Sequence, residues 1–522
     1  MRQVKPHLLF CTDLVSRNAA GDRVTQLQGW CLGSVPVQAL FLKTGTGEFE
    51  SLAHGFPRAD VAKAFPAYPR SQWSGFKVFH EFDGKPGALQ TLYVQTGEPE
   101  SSPEWHRLEV NFDTHEIQTL ELTGENLAAS GTDAALGRHL ADPNALETRF
   151  RRSLTARRGV TLRLDIINKC NLRCVMCHFS DDAIFKRPTS QLTGDQFKAL
   201  FDDIGPSVSR VMLSCGDEPL ISKFLPEILR YLADEHPEVA VEFCTNAMLM
   251  RAPTRNLIME TGVARLMFSM DAVTKPLLES IRVGCRYEQL VGNIMALRDL
   301  KAQHGSELPA FIFNFVMMNR NIHEAPAFVR LAKALGAASI DFRHMVPIGP
   351  WFPEGELLSD HPARYNYYHQ KIAAEAAAHH MSYYLPAAFD TAEQWEPVNE
   401  PVVRFSDFDS VVPDPPGPQG PHMKAPPLAA PGDSAGSVAE EFSPTFCNRP
   451  FSEIMIRDQD EVLPCPFHTE PRGRLSEGKS LSEIFLGEGF AELRRNMLKP
   501  EGDPACARCP IKTLHLPVAF NN

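Results

Sequence analysis

The sequence predicts an α/β protein built around a partial (β/α)6 TIM-like barrel, with an N-terminal antiparallel β-sandwich and a small C-terminal cysteine-containing module. Three observations lead to this prediction. From Gly159 onward, apolar strand patterns alternate with amphipathic helical patterns, as in βαβ units around a parallel sheet. Before about residue 125, short alternating runs are separated by Gly, Pro and Asp. Four cysteines follow a Pro- and Gly-rich stretch near the end of the chain.

The composition excludes several classes of protein. The chain has 522 residues, enough for about three domains at roughly 150 residues each. Its 52 Lys and Arg against 64 Asp and Glu give a net charge of −12, which disfavours nucleic-acid binding through phosphate contacts. No apolar run approaches the roughly 18 residues of a membrane span, and the start lacks a secretory signal pattern. We therefore expect a cytoplasmic protein without a membrane span, whose cysteines are reduced.

Residues 1–140 are predicted to form the β-sandwich accessory domain. Alternating runs bounded by turn residues mark strands at 37–43, 75–82, 89–95, 107–112 and 117–122. Residues 144–158 carry five arginines and are predicted to form a helix with a solvated charged face, a connector rather than a binding element.

Residues 155–350 are predicted to form the (β/α)6 core. Its six strands are expected at 160–167, 210–215, 239–245, 264–271, 311–318 and 339–346. Between the first two strands, one helical face is predicted to carry Phe197, Leu200, Phe201 and Ile204. In such sheets the chemistry gathers at the carboxyl ends of the strands. The remaining chain is divided into a helical and strand connector at 351–411, a Pro- and Gly-rich linker at 412–441 and the cysteine module at 442–522.

The strongest motif follows the first core strand, where Cys170, Cys174 and Cys177 form a C-x3-C-x2-C pattern on a loop. Thiolates are soft ligands that suit zinc or an iron–sulfur cluster. Three ligands for a four-iron cubane would leave one iron open to bind another molecule. The alternatives are inert buried thiols or a structural zinc site with His178 as a further ligand.

The triad, its place after the first strand and the motifs downstream resemble the radical S-adenosylmethionine (SAM) superfamily. The resemblance covers residues 159–350, and 442–513 for the C-terminal part. It implies a 4Fe-4S cluster whose open iron binds the methionine part of SAM. It also implies reductive cleavage of SAM to a 5′-deoxyadenosyl radical that abstracts hydrogen from a substrate, with an electron donor such as flavodoxin or ferredoxin.

Further segments at strand ends support the resemblance. C-G-D-E-P-L at 215–220 is similar to the family's Gly-Gly-Glu-Pro segment, T-N-A-M-L at 245–249 to its Thr-Asn-Gly segment, and S-M-D-A at 269–272 to its Ser-x-Asp-Gly segment. The departures are Cys215 and Ala247, each where the family has Gly, and Met176 in place of an aromatic residue. The resemblance implies that these residues contact the cofactor: Gly216, Asp217, Glu218, Asn246, Ser269, Asp271 and Arg282. Capping or turn formation is the alternative for the acidic and amide side chains.

A second cysteine set lies near the C-terminus, at Cys447, Cys465, Cys506 and Cys509. The segment around Cys465 and the terminal C-x2-C resemble a SPASM or twitch-like module, in which four thiolates complete an auxiliary 4Fe-4S cluster without an open iron. Structural zinc is the competing interpretation, because four cysteines are a common zinc ligand set.

The catalytic residues are left open by the sequence, with three candidates. The sixth strand places Asp341 and Arg343 on one face and Phe342 and His344 on the other, and its inward face is expected to present a substrate contact or a base. The alternative is an ordinary barrel ion pair or a hydrogen-bonded histidine. Cys285 is a candidate hydrogen donor or acid, with a small buried hydrophobic residue as the alternative. Cys11, Cys31, Cys215 and Cys244 are expected to be small buried hydrophobic residues.

The segments G-W-C-L-G-S-V-P-V-Q-A-L-F-L at 29–42 and F-P-R-A-D-V-A-K-A-F-P at 56–66 resemble β-sandwich modules attached to glycosyltransferases. This favours a small-molecule carbohydrate or glycoconjugate substrate that is oxidised or rearranged. A peptide or protein side chain is the alternative substrate, and a non-enzymatic zinc-stabilised binding protein is the second alternative.

Overall fold

The computed structural model describes residues 8–120 with short gaps, 159–346, 352–397, 449–497 and 503–506, with single positions at 403, 412, 447 and 509. The helix predicted at 144–158 and all but one residue of the linker predicted at 412–441 lie outside the described residues. The chain divides into two compact units. The first contains residues 1–158, 437–452 and 485–512, and the second contains 159–436, 453–484 and 513–522.

The described part of the first unit contains nine antiparallel strands and a short helix before residue 121. They are β1 (Leu8–Arg17), β2 (Arg23–Gly33), β3 (Val37–Lys43), β4 (Phe49–Phe56), β5 (Gly75–Val78), β6 (Phe82–Asp83), β7 (Leu89–Thr96), β8 (Glu104–Asn111), β9 (Ile117–Leu120) and α1 (Ala59–Ala64). The strands pair in the order β1-β2-β5-β4-β3-β7-β8-β9, with β6 beside β2. Alternate apolar residues such as Leu40, Leu92 and Leu108 join one core. The antiparallel sheet agrees with the prediction, and its arrangement as a two-layer sandwich stays a prediction.

The second unit is built on a sheet with ten strands among the described residues. These strands are β10 (Val160–Leu164), β12 (Val208–Met212), β13 (Ala240–Thr245), β14 (Arg265–Ser269), β16 (Ala310–Met317), β17 (Ser339–His344), β18 (Ser382–Tyr384), β19 (Glu453–Arg457), β20 (Glu461–Leu463) and β21 (Gly473–Arg474). The order is β18-β17-β16-β14-β13-β12-β10-β19-β20-β21. The pairs from β18 to β19 are parallel, and β19, β20 and β21 pair antiparallel. The mostly parallel sheet fits an α/β partial barrel, with the six predicted strands in sequential order.

A two-stranded ribbon and several helices complete the described part of the chain. The ribbon pairs β11 (Arg173–Cys174) with β15 (Arg282–Val283). The helices are α2 (Asp182–Phe185), α3 (Gly194–Ile204), α4 (Leu225–Glu235), α5 (Ala252–Glu260), α6 (Lys275–Ile281), α7 (Tyr287–Gln303), α8 (Ala325–Ala334), α9 (Pro362–Ala378), α10 (Arg449–Ser452), α11 (Leu481–Phe485) and α12 (Glu488–Met497). None of the described helices is long and apolar enough to cross a membrane.

Local sequence explains how these elements begin and which face they bury. Thr193 caps α3 and forms a capping box with Gln196, which satisfies the first backbone N–H groups of the helix. Phe197, Phe201 and Ile204 of this helix are buried, as predicted, whereas Leu200, predicted for the same face, is partly exposed. Burial alternates along β16 between fully buried and partly exposed residues.

The alternation on β16 separates the two faces of the core sheet. Phe313 and Phe315 pack on Phe328 of α8, so they face the helices. Asn314, between them, lies on the opposite face, which we call the inner face of the sheet. Side chains of consecutive strand residues point to opposite faces, so Ile312 and Val316 share this inner face with Asn314.

Candidate functional site

The three cysteines of the C-x3-C-x2-C motif lie on the loop that leaves β10. Cys174 is buried, Cys170 and Cys177 are half-buried, and all three are free thiols. Cys174 lies opposite Arg282 where β11 pairs with β15, and Arg282 Nη1 is 3.7 Å from its Sγ. The thiols are close enough that their charges influence one another. The fold therefore gathers the predicted triad at the carboxyl end of the first core strand.

The surroundings of the thiols set their protonation. Burial raises the pKa of Cys170 well above its ordinary value and that of Cys174 to about 12. For Cys177 burial also acts to raise the pKa, but the hydrogen bond and charge of His178 outweigh it, so its pKa lies below the ordinary value. A metal centre binds thiolates, so loading this site would release the protons of Cys170 and Cys174.

Asp165, directly after β10, is a site residue that the sequence reasoning missed. Its buried Oδ1 accepts hydrogen bonds from the backbone N–H groups of Cys215, Gly216 and Asp217, at 2.7, 3.0 and 3.2 Å. Burial raises the pKa of Asp165 to about 7, with the nearby charge of Asp217 adding to the rise and the three N–H groups opposing it. This carboxyl group fixes the backbone of the segment that follows β12, one of the predicted cofactor segments.

Glu218 connects two of the predicted cofactor segments. Its Oε1 accepts from Thr245 Oγ1 at 2.8 Å, and its Oε2 accepts from the backbone N–H of Asn246 at 2.8 Å. Burial raises the pKa of Glu218 to about 7. Because both oxygens have partners within the chain, the observed role of this carboxyl group is to hold the loop after β12 against the loop after β13.

Asn246 links the same loop to the cysteine loop. Its Nδ2 donates to Asn171 Oδ1 at 2.9 Å and lies 3.8 Å from Cys170 Sγ. Ala247, which follows it, has a φ of 55°, a left-handed conformation that costs an L-residue roughly 1–2 kcal/mol. The chain therefore needs a conformation here that glycine adopts readily, which gives a physical reason for the family's Gly at this position.

Gly216 and Asp217 lie against the residue that follows Cys177. A Cβ atom at position 216 would come within 3.2 Å of His178 Cε1, so a side chain there would crowd the imidazole. Asp217 Oδ1 is 3.6 Å from His178 Nε2. Burial acts to lower the pKa of His178, but Asp217 and Cys177 raise it to about 10.

Ser269 is the last residue of β14, Asp271 follows it, and Arg282 is the first residue of β15. Arg282 Nη2 is 2.6 Å from Asp271 Oδ2, and both side chains are buried. Burial raises the pKa of Asp271, and the Arg282 charge opposes the rise. Asp271 Oδ1 also accepts from the backbone N–H of Val316 at 2.8 Å, while Ser269 Oγ is 3.2 Å from Cys244 Sγ. Arg282 thus has a carboxylate partner within the chain.

The three catalytic candidates lie in two places. Asp341 and Arg343 form an ion pair on the inner face, and Phe342 faces the helices, where it packs on Phe315. Burial raises the pKa of Asp341, and Arg343 opposes the rise. Cys285 is buried with its Sγ 3.7 Å from Met248 Sδ, and burial raises its pKa to about 11.

The second cysteine set is distributed over both units. In the first unit, Cys447 and Cys506 pack against the buried Leu493 and Met497 of α12, and the backbone N–H of Cys509 donates to Cys506 O at 3.1 Å. Cys465 follows β20 in the second unit. The four-cysteine site stays a prediction.

Residues 164–332 match the model of the Radical SAM superfamily. A similar curated protein is the AdoMet-dependent heme synthase of Methanosarcina barkeri (strain Fusaro / DSM 804), 28% identical over 181 residues, which cover 34% of this chain and 49% of that protein. Another is a probable GTP 3',8-cyclase of Methanococcus maripaludis (strain C5 / ATCC BAA-1333), 26% identical over 212 residues, which cover 39% and 63%. The chain thus spans less than two thirds of the length of either relative.

Solved structures with a related arrangement share little sequence with this chain. Streptococcus suis SuiB bound to the precursor peptide SuiA has a TM-score of 0.45 and 12% identity, covering 74% of this chain and 87% of that one. Native anSMEcpe with bound AdoMet has a TM-score of 0.42 and 13% identity, covering 68% and 88%. Both TM-scores are below 0.5 and carry no weight for the substrate of this chain.

Proposed function

Because residues 164–332 form a Radical SAM superfamily domain, we propose that this chain is an enzyme that binds a 4Fe-4S cluster through Cys170, Cys174 and Cys177 and uses SAM at it. The superfamily uses this cluster and SAM. The observation that supports the ligand assignment is the position of three free thiols on one short loop after β10, inside the matched range. Within the described part of the chain, no three His, Cys, Asp or Glu side chains converge on a point that would hold one metal ion. The assignment therefore rests on the family match and on the soft thiolate donor set.

When bound, the reduced cluster and SAM supply a carbon-centred radical that abstracts hydrogen from a substrate C–H bond. The residues of the chain contribute position and exclusion of water. Asp165 fixes the segment that begins at Cys215, and Glu218 holds that segment to the backbone of Asn246. Arg282 places a buried positive charge beside Cys174. A cation near a thiolate stabilises the ionised form, so this contact favours loading of the triad.

We extend the proposal to the flanking parts of the chain. Cys447, Cys465, Cys506 and Cys509 are proposed to hold an auxiliary cluster in a SPASM or twitch-like module, with flavodoxin or ferredoxin as the electron donor. The substrate is proposed to be a carbohydrate or glycoconjugate that is oxidised or rearranged. In the proposed roles, Gly216, Asn246 and Ser269 contact SAM, and Asp341 and Arg343 contact the substrate.

The test is anaerobic reconstitution of the full chain followed by incubation with dithionite and SAM. We expect about eight irons and eight sulfides per chain for two cubanes, and release of 5′-deoxyadenosine. Cys174→Ala should abolish the release, whereas Cys506→Ala should lower the metal content without removing the binding site for SAM.

Cys11→Ser is the matched control, because Cys11 lies on β1 outside the predicted ligand sets and should leave both readouts unchanged. Zinc in place of iron at the triad, or 5′-deoxyadenosine release that survives Cys174→Ala, would contradict the proposal.

A further inference from the structure

Two acceptor oxygens on the inner face of the core sheet have no hydrogen-bond partner among the described residues. Asn314 on β16 and Asp341 on β17 lie opposite each other in the parallel register. Asp341 is only 5% exposed. The Oδ1 atoms of both side chains are shielded from solvent and accept no hydrogen bond from the described part of the chain. A buried acceptor without a donor is costly, and such a group in a native protein calls for an explanation, such as strain, a bound water or ion, or a role in binding or catalysis.

The other polar atoms of the two side chains are already engaged. Asp341 Oδ2 accepts from Arg343 Nε at 2.8 Å. Asn314 Nδ2 is 3.5 Å from Cys244 Sγ, which is itself 3.2 Å from Ser269 Oγ. In this orientation of the Asn314 amide, the atom left over on each side chain is an acceptor.

The inner face around this pair is less tightly covered than the face toward the helices. Ile312, Asn314 and Val316 are each partly exposed, whereas Phe313 and Phe315 are fully buried. Arg343, next along the inner face of β17, is 24% exposed. Side-chain rotation about χ2 is soft in Asn and Asp, so a small turn presents either oxygen to a ligand on this face.

We propose that Asn314 Oδ1 and Asp341 Oδ1 together accept hydrogen bonds from two neighbouring donor groups of the substrate, either two hydroxyls or a hydroxyl and an amine on adjacent carbons. This inference rests on the proposed function and names the substrate class of the same site. The two oxygens lie on adjacent strands, which are about 4.8 Å apart, a span that donors on adjacent carbons reach.

An extended peptide is a poorer match to this acceptor pair. Its N–H groups that point the same way are two residues apart, roughly 6.6–6.8 Å, and carbonyl acceptors alternate with them. A carboxylate is disfavoured as well, because two acceptors and the Asp341 charge would repel it.

The test uses three small probes that share one ring: cis-1,2-cyclohexanediol, trans-2-aminocyclohexanol and cyclohexanol. Binding to the reconstituted full chain is measured by ligand-observed NMR titration, with and without SAM. We expect the diol or the amino alcohol to bind about tenfold more tightly than cyclohexanol, since each presents one additional donor. The comparison between the first two probes shows which donor pair the site prefers.

Two variants test whether Asn314 and Asp341 cause the tighter binding of the two-donor probes. In Asp341→Asn, Arg343 needs an acceptor and holds the amide oxygen, so the new NH2 group takes the place of Oδ1 and faces Asn314 Oδ1. The acceptor pair is then satisfied internally, and we expect the preference over cyclohexanol to fall about tenfold while the melting temperature stays equal or rises. Asn314→Leu removes the other acceptor and should also abolish the preference.

Glu375→Gln is the control, because Glu375 forms a comparable ion pair with Arg330 between α9 and α8, away from the sheet. It should retain the preference of the wild type. Equal binding of all three probes by the wild type overturns the inference, as does a preference that survives in both variants. Failure of the proposed function shows separately, as wild-type protein that does not bind SAM in the same samples.

Discussion

The carboxyl group of Asp165 is predicted to control the backbone order of the segment that begins at Cys215. Replacing it in Asp165→Ala removes the acceptor of three backbone N–H groups at 2.7, 3.0 and 3.2 Å. The three groups share one oxygen, so their contributions do not simply add. Above the Asp165 pKa of about 7 the carboxyl group is charged, and a single hydrogen bond to a charged group is worth about 1.5–3 kcal/mol. At such a pH, about 8, we therefore expect the free energy of local opening to fall by at least about 2 kcal/mol.

Hydrogen–deuterium exchange measured on a peptide covering residues 213–219 tests this directly. A loss of about 2 kcal/mol corresponds to roughly thirtyfold faster exchange of the affected amides. Asp165→Asn keeps an oxygen that can accept and should give a smaller acceleration. Asp195→Asn, at an exposed position in the first turn of α3, should leave the peptide unchanged. If this peptide exchanged in Asp165→Ala as slowly as in the wild type, the claim that Asp165 orders this segment would be wrong.

Three further predictions concern stability. The pKa of Asp165 is raised from 3.8 to about 7 in the fold. Between these two pH values the folded state holds a proton that the unfolded chain has released. The free energy of unfolding therefore falls as the pH rises from about 4 to about 7. In Asp165→Asn the free energy of unfolding, measured by urea denaturation, should depend less steeply on pH, by at most about 1.4 kcal/mol per pH unit. An unchanged pH dependence would contradict the raised pKa of Asp165. Ala247→Gly should raise the free energy of unfolding by about 0.5–1 kcal/mol, because it relieves a left-handed alanine at φ 55°. As a control, Ala302→Gly inside α7 should lower the free energy of unfolding. A lower melting temperature for Ala247→Gly would contradict this prediction. Arg163 and Glu453 form a buried ion pair at 2.8 Å. Arg163→Met alone should lower the free energy of unfolding by about 3–5 kcal/mol, and the double variant Arg163→Met/Glu453→Met should regain most of that loss. If the losses of the two single variants simply added in the double variant, the two charges would not be coupled.

The core strands could be predicted because each is an apolar run with turn signals at both ends. The predicted strand at 311–318 and the observed β16 (Ala310–Met317) differ by one residue at each end. The first two strands of the N-terminal sheet were missed. Irregularities in the pairing of β1 and β2 lie between Thr12 and Leu14 and between Ser16 and Arg17, and each shifts the alternation that marks a strand.

The place of the C-terminal hairpin was not predictable from local sequence. β19 pairs in parallel with β10, with Thr161 opposite Glu453. Such a pairing between distant segments leaves no periodic signal in either one. The sequence therefore assigned residues 453–463 to a separate module, whereas they extend the core sheet in the structure.

For the candidate site, the sequence predicted which segments meet but not how the side chains are used. The cysteine loop and the segments after β12, β13 and β14 could be identified because parallel strands bring their carboxyl ends to one edge of the sheet. Asp165 was missed because its partners are backbone N–H groups of another loop, which no side-chain pattern reveals. Arg282 was expected to contact the cofactor, which stays a prediction, and in the structure it pairs with Asp271.

The proposal that Cys170, Cys174 and Cys177 hold a cluster at which SAM binds is tested by spectroscopy of a full-length chain that lacks the second cysteine set. A variant with Cys447, Cys465, Cys506 and Cys509 replaced by Ala leaves Cys170, Cys174 and Cys177 as the only predicted cluster ligands. After anaerobic reconstitution it should contain about four irons and four sulfides per chain, and the electron paramagnetic resonance spectrum of the reduced protein should change when SAM is added. A reduced cluster whose spectrum does not change when SAM is added, or a chain that retains zinc instead of iron, would contradict the proposal that the triad holds a SAM-binding 4Fe-4S cluster.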